Sequence, residues 1–555
     1  MADLSQPTKK LISRYQAWHQ SLQKKEEIPV LHVDEVASKV AAFYEKIRGV
    51  IEWREEHLLR KTAIERILKR RLLLIKEGEK IALPFVLELI RGGHFPNDTI
   101  EESKVKEIQK IIDKYIFILK NKPNRAEKEK SQTRASFGAG PTPHRNEVSG
   151  TGLQLYNWLL GIAACEVEEC LSYPLKENAL IEYMTDIMKE RIVVKEGAIV
   201  IGGIMEAEKN TQIYIACQRA LFKMDPSLIS FHLLEQKFSN WSSLTQEELK
   251  ELAQNIYSIK EGVEMDLAHP LSEKFYSICE KYDTPYLILG DIISQNQEKA
   301  AEVLSNPEEL EGLITQTYQQ RLQKLKEKIK RAAIYSTISI FVTKILLVLA
   351  VEAPFDKYIT GQFDYLTLGL NTFIPPFIMM VMIATIRSPA QENLQKVIME
   401  FMKITKEIER KETYQIKALH KMGFIMKSAL LIFYVFSFII SFGTIIWGLQ
   451  KLNFGIPSIL IFLLFISLIL FTSTRIRQRA KELHVGDEKE SILTSIFDFL
   501  TLPLVQVGRF ISKKWERYNI LVVLLNILIE LPFQLFTEFL EQWRYFLKEK
   551  KEEIH

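Results

Sequence analysis

From Asp34 the apolar positions fall on a single stripe: Val36, Val40, Phe43, Ile47 and Val50 recur at spacings of three and four, the period of an amphipathic helix. Asp34 and Glu35 open the stripe, and acids suit a first helical turn. The pattern runs on through Ile64, Ile67, Leu68 and Leu72 toward Gly78. A second stripe, with Ile100, Val105, Ile108, Ile111, Ile112 and Ile116, predicts a helix over 99–119. Between them, RGGHFPND carries the glycines and proline of a turn. Residues 1–120 therefore read as a helical hairpin region.

The pattern then breaks. Residues 121–152 are nearly devoid of apolar side chains and rich in Gly, Pro, Ser and charge. Such a stretch buries too little surface to offset its ordering entropy, so it reads as a disordered linker. Helical patterning resumes over 153–305 as a second domain. One interruption, ERIVVKEGAIVIGG, sets two short β-branched runs about Lys195-Glu196-Gly197 and predicts a small hairpin.

Beyond a basic helix at 306–331 the character changes again. Four stretches, Ala332–Val351, Tyr365–Ile386, Ser428–Leu449 and Ile456–Thr474, are long and apolar enough to cross a ~30 Å hydrocarbon core. The predicted class is all-α: a polytopic helical membrane protein with four transmembrane helices over 332–474. A large cytoplasmic helical region precedes them and interfacial helices follow.

Lys and Arg in the flanks set the orientation. Lys324, Lys326, Lys328, Lys330 and Arg331 crowd ahead of the first span, and RIRQRAK follows the fourth. The first connecting loop holds one Lys against Glu352, Asp356 and Asp364, whereas the second holds nine basic residues, Lys403, Lys406, Arg410 and Lys411 among them. Both termini are therefore expected in the cytoplasm, with anionic headgroups against the basic helix. The first thirty residues hold no apolar core of a secretory signal.

The second loop keeps helical spacing at Leu394, Val397, Ile398, Phe401, Ile404 and Ile408, predicting a stalk over 387–427 that packs on the cytoplasmic domain. Residues 475–555 hold long apolar runs interrupted by charge and by Pro503 and Pro532. They read as amphipathic helices lying at the interface, with Trp515, Trp543 and Tyr545 at headgroup depth, and a charged tail. A fifth span around 520–536 is the other option.

Composition adds limits. Of 555 residues, 73 are basic and 69 acidic, a net +4, which excludes a surface that is basic throughout. Four Cys in so long a chain make no disulfide framework. No nucleic-acid partner is expected, since Lys69-Arg70-Arg71 is a short run without accompanying aromatics. No cofactor is expected either: kinase, nucleophile-elbow and H-E-x-x-H signatures are absent, and FGAGPTP lacks the Lys-Ser/Thr of a phosphate loop. Cys165, Glu169 and Cys170 in ACEVEEC lack the second ligand pair of a zinc site and read as helix thiols. Cys217 and Cys279 stand alone.

Lys344 is the exception, a charge inside the first span, ~10 Å from its outer end at 1.5 Å per residue. Asn371 in the second span lies at nearly the same depth. Glu352 is the candidate counter-ion, and Pro375-Pro376 breaks the second helix near its middle, freeing backbone carbonyls. These five residues form the candidate polar site. The structural alternative is a lysine snorkelling outward beside a kinked helix. The expected function is a non-enzymatic scaffold, tether or regulator working through the cytoplasmic helical domain and an unidentified protein partner. The alternative is an oligomeric channel or small-solute transporter using the polar site. A membrane-bound enzyme would need acids or histidines clustered at the inner face.

Overall fold

The computed structural model describes residues 4–23, 29–33, 56–74, 80–123, 145–195, 205–355, 358, 365–386, 391–406, 413–416, 423–486, 492–518 and short pieces of 539–551. The stripe from Val36 to Val50, residues 124–144 of the linker and the alternative span at 520–536 lie outside them.

The described chain is helical apart from two three-residue strands. Its elements run α1 (Gln6–Gln23), α2 (Glu56–Leu74), α3 (Ala82–Arg91), α4 (Glu102–Asn121), α5 (Arg145–Leu171), α6 (Leu175–Arg191), β1 (Ile192–Val194), α7 (Glu206–Phe222), α8 (Pro226–Lys237) and α9 (Gln246–Leu267). Then come α10 (Ser272–Lys281), α11 (Asp283–Gln295), α12 (Ala300–Ser305), α13 (Pro307–Leu347), α14 (Tyr365–Ala384), α15 (Gln391–Thr405), β2 (Tyr414–Ile416), α16 (Phe424–Lys451), α17 (Ile456–Ala480) and α18 (Ile492–Tyr518).

Several helix starts follow from local chemistry. Asp225 caps α8, its carboxylate accepting from the Leu228 amide at 2.9 Å with Pro226 at the first helical position. Thr245 and Glu248 form a reciprocal capping box at α9.

Where only a turn was expected between the two stripes, the described residues hold a further helix. α3 stands between the two predicted stripes and buries Ala82, Phe85, Val86, Leu89 and Ile90. Both α2 and α4 pack on α5. Helix α5 itself starts at Arg145, inside the stretch expected to be linker. One apolar core runs from Leu11 and Ile64 through Ile108, Leu159, Met184 and Ile288 to Val397, Phe401 and Val485.

The second β run of ERIVVKEGAIVIGG lies outside the described residues. The first, β1, pairs in parallel with β2, Ile192 opposite Tyr414 and Val194 opposite Ile416. The stalk region thereby joins the helical body. Helix α15 inserts Val397, Phe401 and Ile404 into the core. At its end the Ser5 amide donates to the Thr405 carbonyl at 3.0 Å.

Three helical stretches are long and apolar enough to cross a membrane: Pro307–Ala350, Phe424–Lys451 and Ile456–Ala480. α14, in the second predicted span, is a shorter apolar helix holding Pro375 and Pro376. Large apolar side chains stand exposed along these helices, among them Leu346, Phe373, Ile432, Phe436 and Leu460. So much bare apolar surface marks a partner or membrane contact.

α18 opens the long apolar stretch expected to lie at the interface. It packs along α17 and α16. Arg477 Nη1 meets Asp498 Oδ1 at 2.9 Å, and Gly508 sits on the Ser467 carbonyl, ten residues further along α18 and ten back along α17. The two helices are therefore antiparallel. A Cβ at position 508 would overlap that carbonyl, so the contact requires glycine. Ser437 Oγ, midway along α16, donates to the Phe499 carbonyl at 2.9 Å.

Candidate functional site

α13 carries Lys344 at the end of a 41-residue helix that starts in the soluble core. At Val348–Glu352 the chain leaves α-helical register for a π-helical turn, a local distortion frequent at functional sites. Glu352, at the end of that turn, faces back to Lys344. Lys344 Nζ donates to Glu352 Oε1 at 2.9 Å, and Asn371 Nδ2 from α14 donates to Glu352 Oε2 at 2.7 Å. The three side chains are 0–1% exposed. The Phe465 ring of α17 lies 5.1 Å from the ammonium, within reach of a cation–π attraction.

The structure thus brings together Lys344, Glu352 and Asn371. It buries Pro375 and Pro376 within α14, one turn or more beyond Asn371. Lys344 does not snorkel: a carboxylate within reach inside the bundle replaces water as its partner. Its charge is neutralised there, and Asn371 Oδ1 has no hydrogen-bond partner among the described residues.

Further buried polar contacts surround the acidic run of α5 in the helical body. Glu166 accepts from Lys114 Nζ at 2.6 Å, Tyr115 OH at 2.6 Å and Trp241 Nε1 at 3.1 Å. Glu168 accepts from Arg60 Nε at 2.9 Å. Burial nevertheless pushes the Glu168 carboxyl up to about 7, Arg60 opposing. Glu169 Oε1 lies 2.6 Å from His232 Nε2. Glu235 follows His232 by one helical turn, and its carboxyl is pushed up to about 7 by burial, then by the neighbouring Glu169.

The cysteines of ACEVEEC do not converge with Glu169. Cys165 is fully buried, and burial raises its thiol well above the ordinary range. Cys170 donates to Glu107 Oε2 at 3.4 Å. Cys217 and Cys279 do not stand alone: their sulfurs lie 3.9 Å apart, both buried and free. Arg70 and Arg71 of the basic run both engage Glu88.

Sequence reasoning named Glu169 but missed His232 and Glu235. The available signal was H-x-x-E in FHLLEQ, which places both side chains on one helix face. The Glu169–His232 separation of 63 residues concealed the rest. Compared with known protein families, curated proteins and solved structures, the chain matches none.

Proposed function

We propose that the chain is a cytoplasmic-membrane scaffold, tether or regulator. In this reading four helices cross the bilayer, both termini face the cytoplasm, and the helical body presents a binding surface to an unidentified protein partner. Lys324, Lys326, Lys328, Lys330 and Arg331, all exposed, meet anionic headgroups.

The observation that carries the reading is the clamp at Asn393. Its Nδ2 donates to the Leu483 carbonyl at 2.6 Å and to Tyr318 OH at 2.9 Å, while its Oδ1 accepts from the Val485 amide at 2.8 Å. One buried side chain thereby joins the helix entering the apolar half, the stalk helix and the segment leaving α17. α13 makes the same connection covalently, about 60 Å of unbroken helix at 1.5 Å per residue. A body fixed this firmly to its apolar helices suits holding or relaying.

Purified protein in liposomes is expected to pass no K⁺, Na⁺ or Cl⁻. Reproducible flux abolished by Lys344→Ala would overturn the scaffold reading in favour of a channel or transporter. That alternative draws on the unpaired Asn371 Oδ1, a buried acceptor that a permeating cation or solute donor could meet.

Orientation has its own check. Tyr358→Cys and Leu452→Cys, both at exposed positions, should react with an impermeant thiol reagent in intact cells. Lys250→Cys, exposed on α9, should react only after lysis. The reverse pattern would invert the topology.

A further inference from the structure

His232 and Glu235 sit three apart on α8, a helix fixed at its start by Pro226 and the Asp225 cap. Glu169 reaches them from α5, and the two helices pack against each other. One ligand atom from each of the three side chains lies within 4.8 Å of the others. Donors at the roughly 2.0–2.2 Å zinc–nitrogen and zinc–oxygen distances stand about 3.3–3.6 Å apart around one tetrahedral ion, so shifts of about an ångström in these side chains would seat it.

The ring of His232 is oriented from behind. Gln218 is fully buried, and its Oε1 lies 2.7 Å from His232 Nδ1. An amide oxygen only accepts, so Nδ1 donates to Gln218 and Nε2 faces the Glu169 carboxylate. This is the arrangement by which an outer amide or carboxylate fixes the tautomer of a metal-ligating histidine. At 2.6 Å the pair shares a hydrogen bond, and a bound cation would take the place of that proton. Two carboxylates and an imidazole meet here, while Lys114 and Arg60 are engaged by Glu166 and Glu168.

Two of the three side chains border open space. Glu169 lines a cleft of about 300 Å³ together with Trp18, His57, Arg60, Glu168 and Lys176. Glu235 stands on the exposed side of the cluster.

We propose that Glu169, His232 and Glu235 bind one divalent transition-metal ion, of which Zn²⁺ fits the donor set best. Imidazole nitrogen favours zinc over magnesium or calcium, and two carboxylates supply the charge that balances the ion. Three protein ligands leave a fourth tetrahedral position for water, as in zinc sites that exchange ligands. The site is independent of the membrane helices and of the scaffold reading.

The test is Zn²⁺ titration of the full-length, chelator-stripped protein in detergent, followed by calorimetry. One Zn²⁺ per chain is expected, and Mg²⁺ should not compete. Glu235→Gln, at the exposed edge, should weaken binding about ten-fold or more with an unchanged elution profile and helical content. His232→Gln should abolish it. Should that variant not fold, Glu235→Gln decides alone. Cys170→Ser should keep full affinity, separating this site from thiol binding. No stoichiometric Zn²⁺ uptake, full affinity in Glu235→Gln, loss in Cys170→Ser, or Mg²⁺ binding as well as Zn²⁺ would each overturn the proposal.

Discussion

Lys344→Met is expected to destabilise the apolar half by about 3–5 kcal/mol, because it leaves the Glu352 carboxylate buried without its counter-charge. Glu352→Gln should do comparable damage from the other side, stranding the ammonium. The double change Lys344→Met with Glu352→Gln should recover most of the loss, since replacing both members of a buried pair is often neutral. Asn371→Leu removes a hydrogen bond without removing a charge. Such bonds between membrane helices average only ~0.6 kcal/mol, so that variant should stay close to the parent. Thermal unfolding in detergent, followed by the loss of a monodisperse elution peak, ranks the four proteins. A neutral Lys344→Met would mean that the ammonium reaches water in the protein as it exists, and that the ion pair contributes nothing.

The ordering of these effects rests on charge, and charge is what made the site legible. A lysine in an otherwise uncharged span announces itself, and counting residues from the span ends puts Asn371 at its level. Glu352 was visible as a nearby acid. The sequence could not show that it turns inward, because a span boundary drawn by composition sets it outside, whereas the π-helical turn carries it into the bundle. The metal cluster was opaque for another reason. Its members come from two helices, and no spacing rule links residues joined only by packing.

The fold divides in the same way. Long periodic stretches such as 64–72 and 99–119 were readable, because an amphipathic stripe states both the helix and its buried face. α3 has the same stripe at 82, 85, 86, 89 and 90. A ten-residue helix, however, is marginal outside its tertiary setting, and the neighbouring RGGHFPND drew the reading toward a turn. β1 and β2 are three residues each and lie more than two hundred apart in the chain. Local pattern cannot pair such strands. The partners of α18 were not readable, because composition shows only charges that weigh against burial. Asp498 finds Arg477 and Gly508 removes the side chain that would hold the backbones apart, so partners on α17 resolve what composition alone counts as a conflict.

Asn393→Leu should loosen the junction between the helical body and the apolar helices about as much as truncating a large buried apolar side chain of α15. Leucine keeps the branch at Cγ but is larger than asparagine, so no cavity forms and over-packing adds to the loss of the hydrogen bonds. The change orphans the Val485 amide and the Leu483 carbonyl, and it strips a donor from Tyr318 OH, all in buried surroundings. Each stranded buried group costs about 1–3 kcal/mol, which puts the total at roughly 3 kcal/mol or more if the segment stays in place. It need not stay. Releasing 481–486 from the core lets those groups reach water, at the expense of the burial of Leu483 and Val485. Asn393→Asp keeps the acceptor for Val485 but loses both donations and brings a charge into the core, so it should fare no better. Limited trypsin digestion reads the outcome directly, because Lys481 is exposed at the start of that segment. Cleavage after Lys481 should accelerate in both variants while cleavage within α9 keeps the parental rate. Equal rates at Lys481 in variant and parent would show that the junction holds without Asn393. The clamp would then lose its part in coupling the two halves, leaving the unbroken α13 as the connection that carries it.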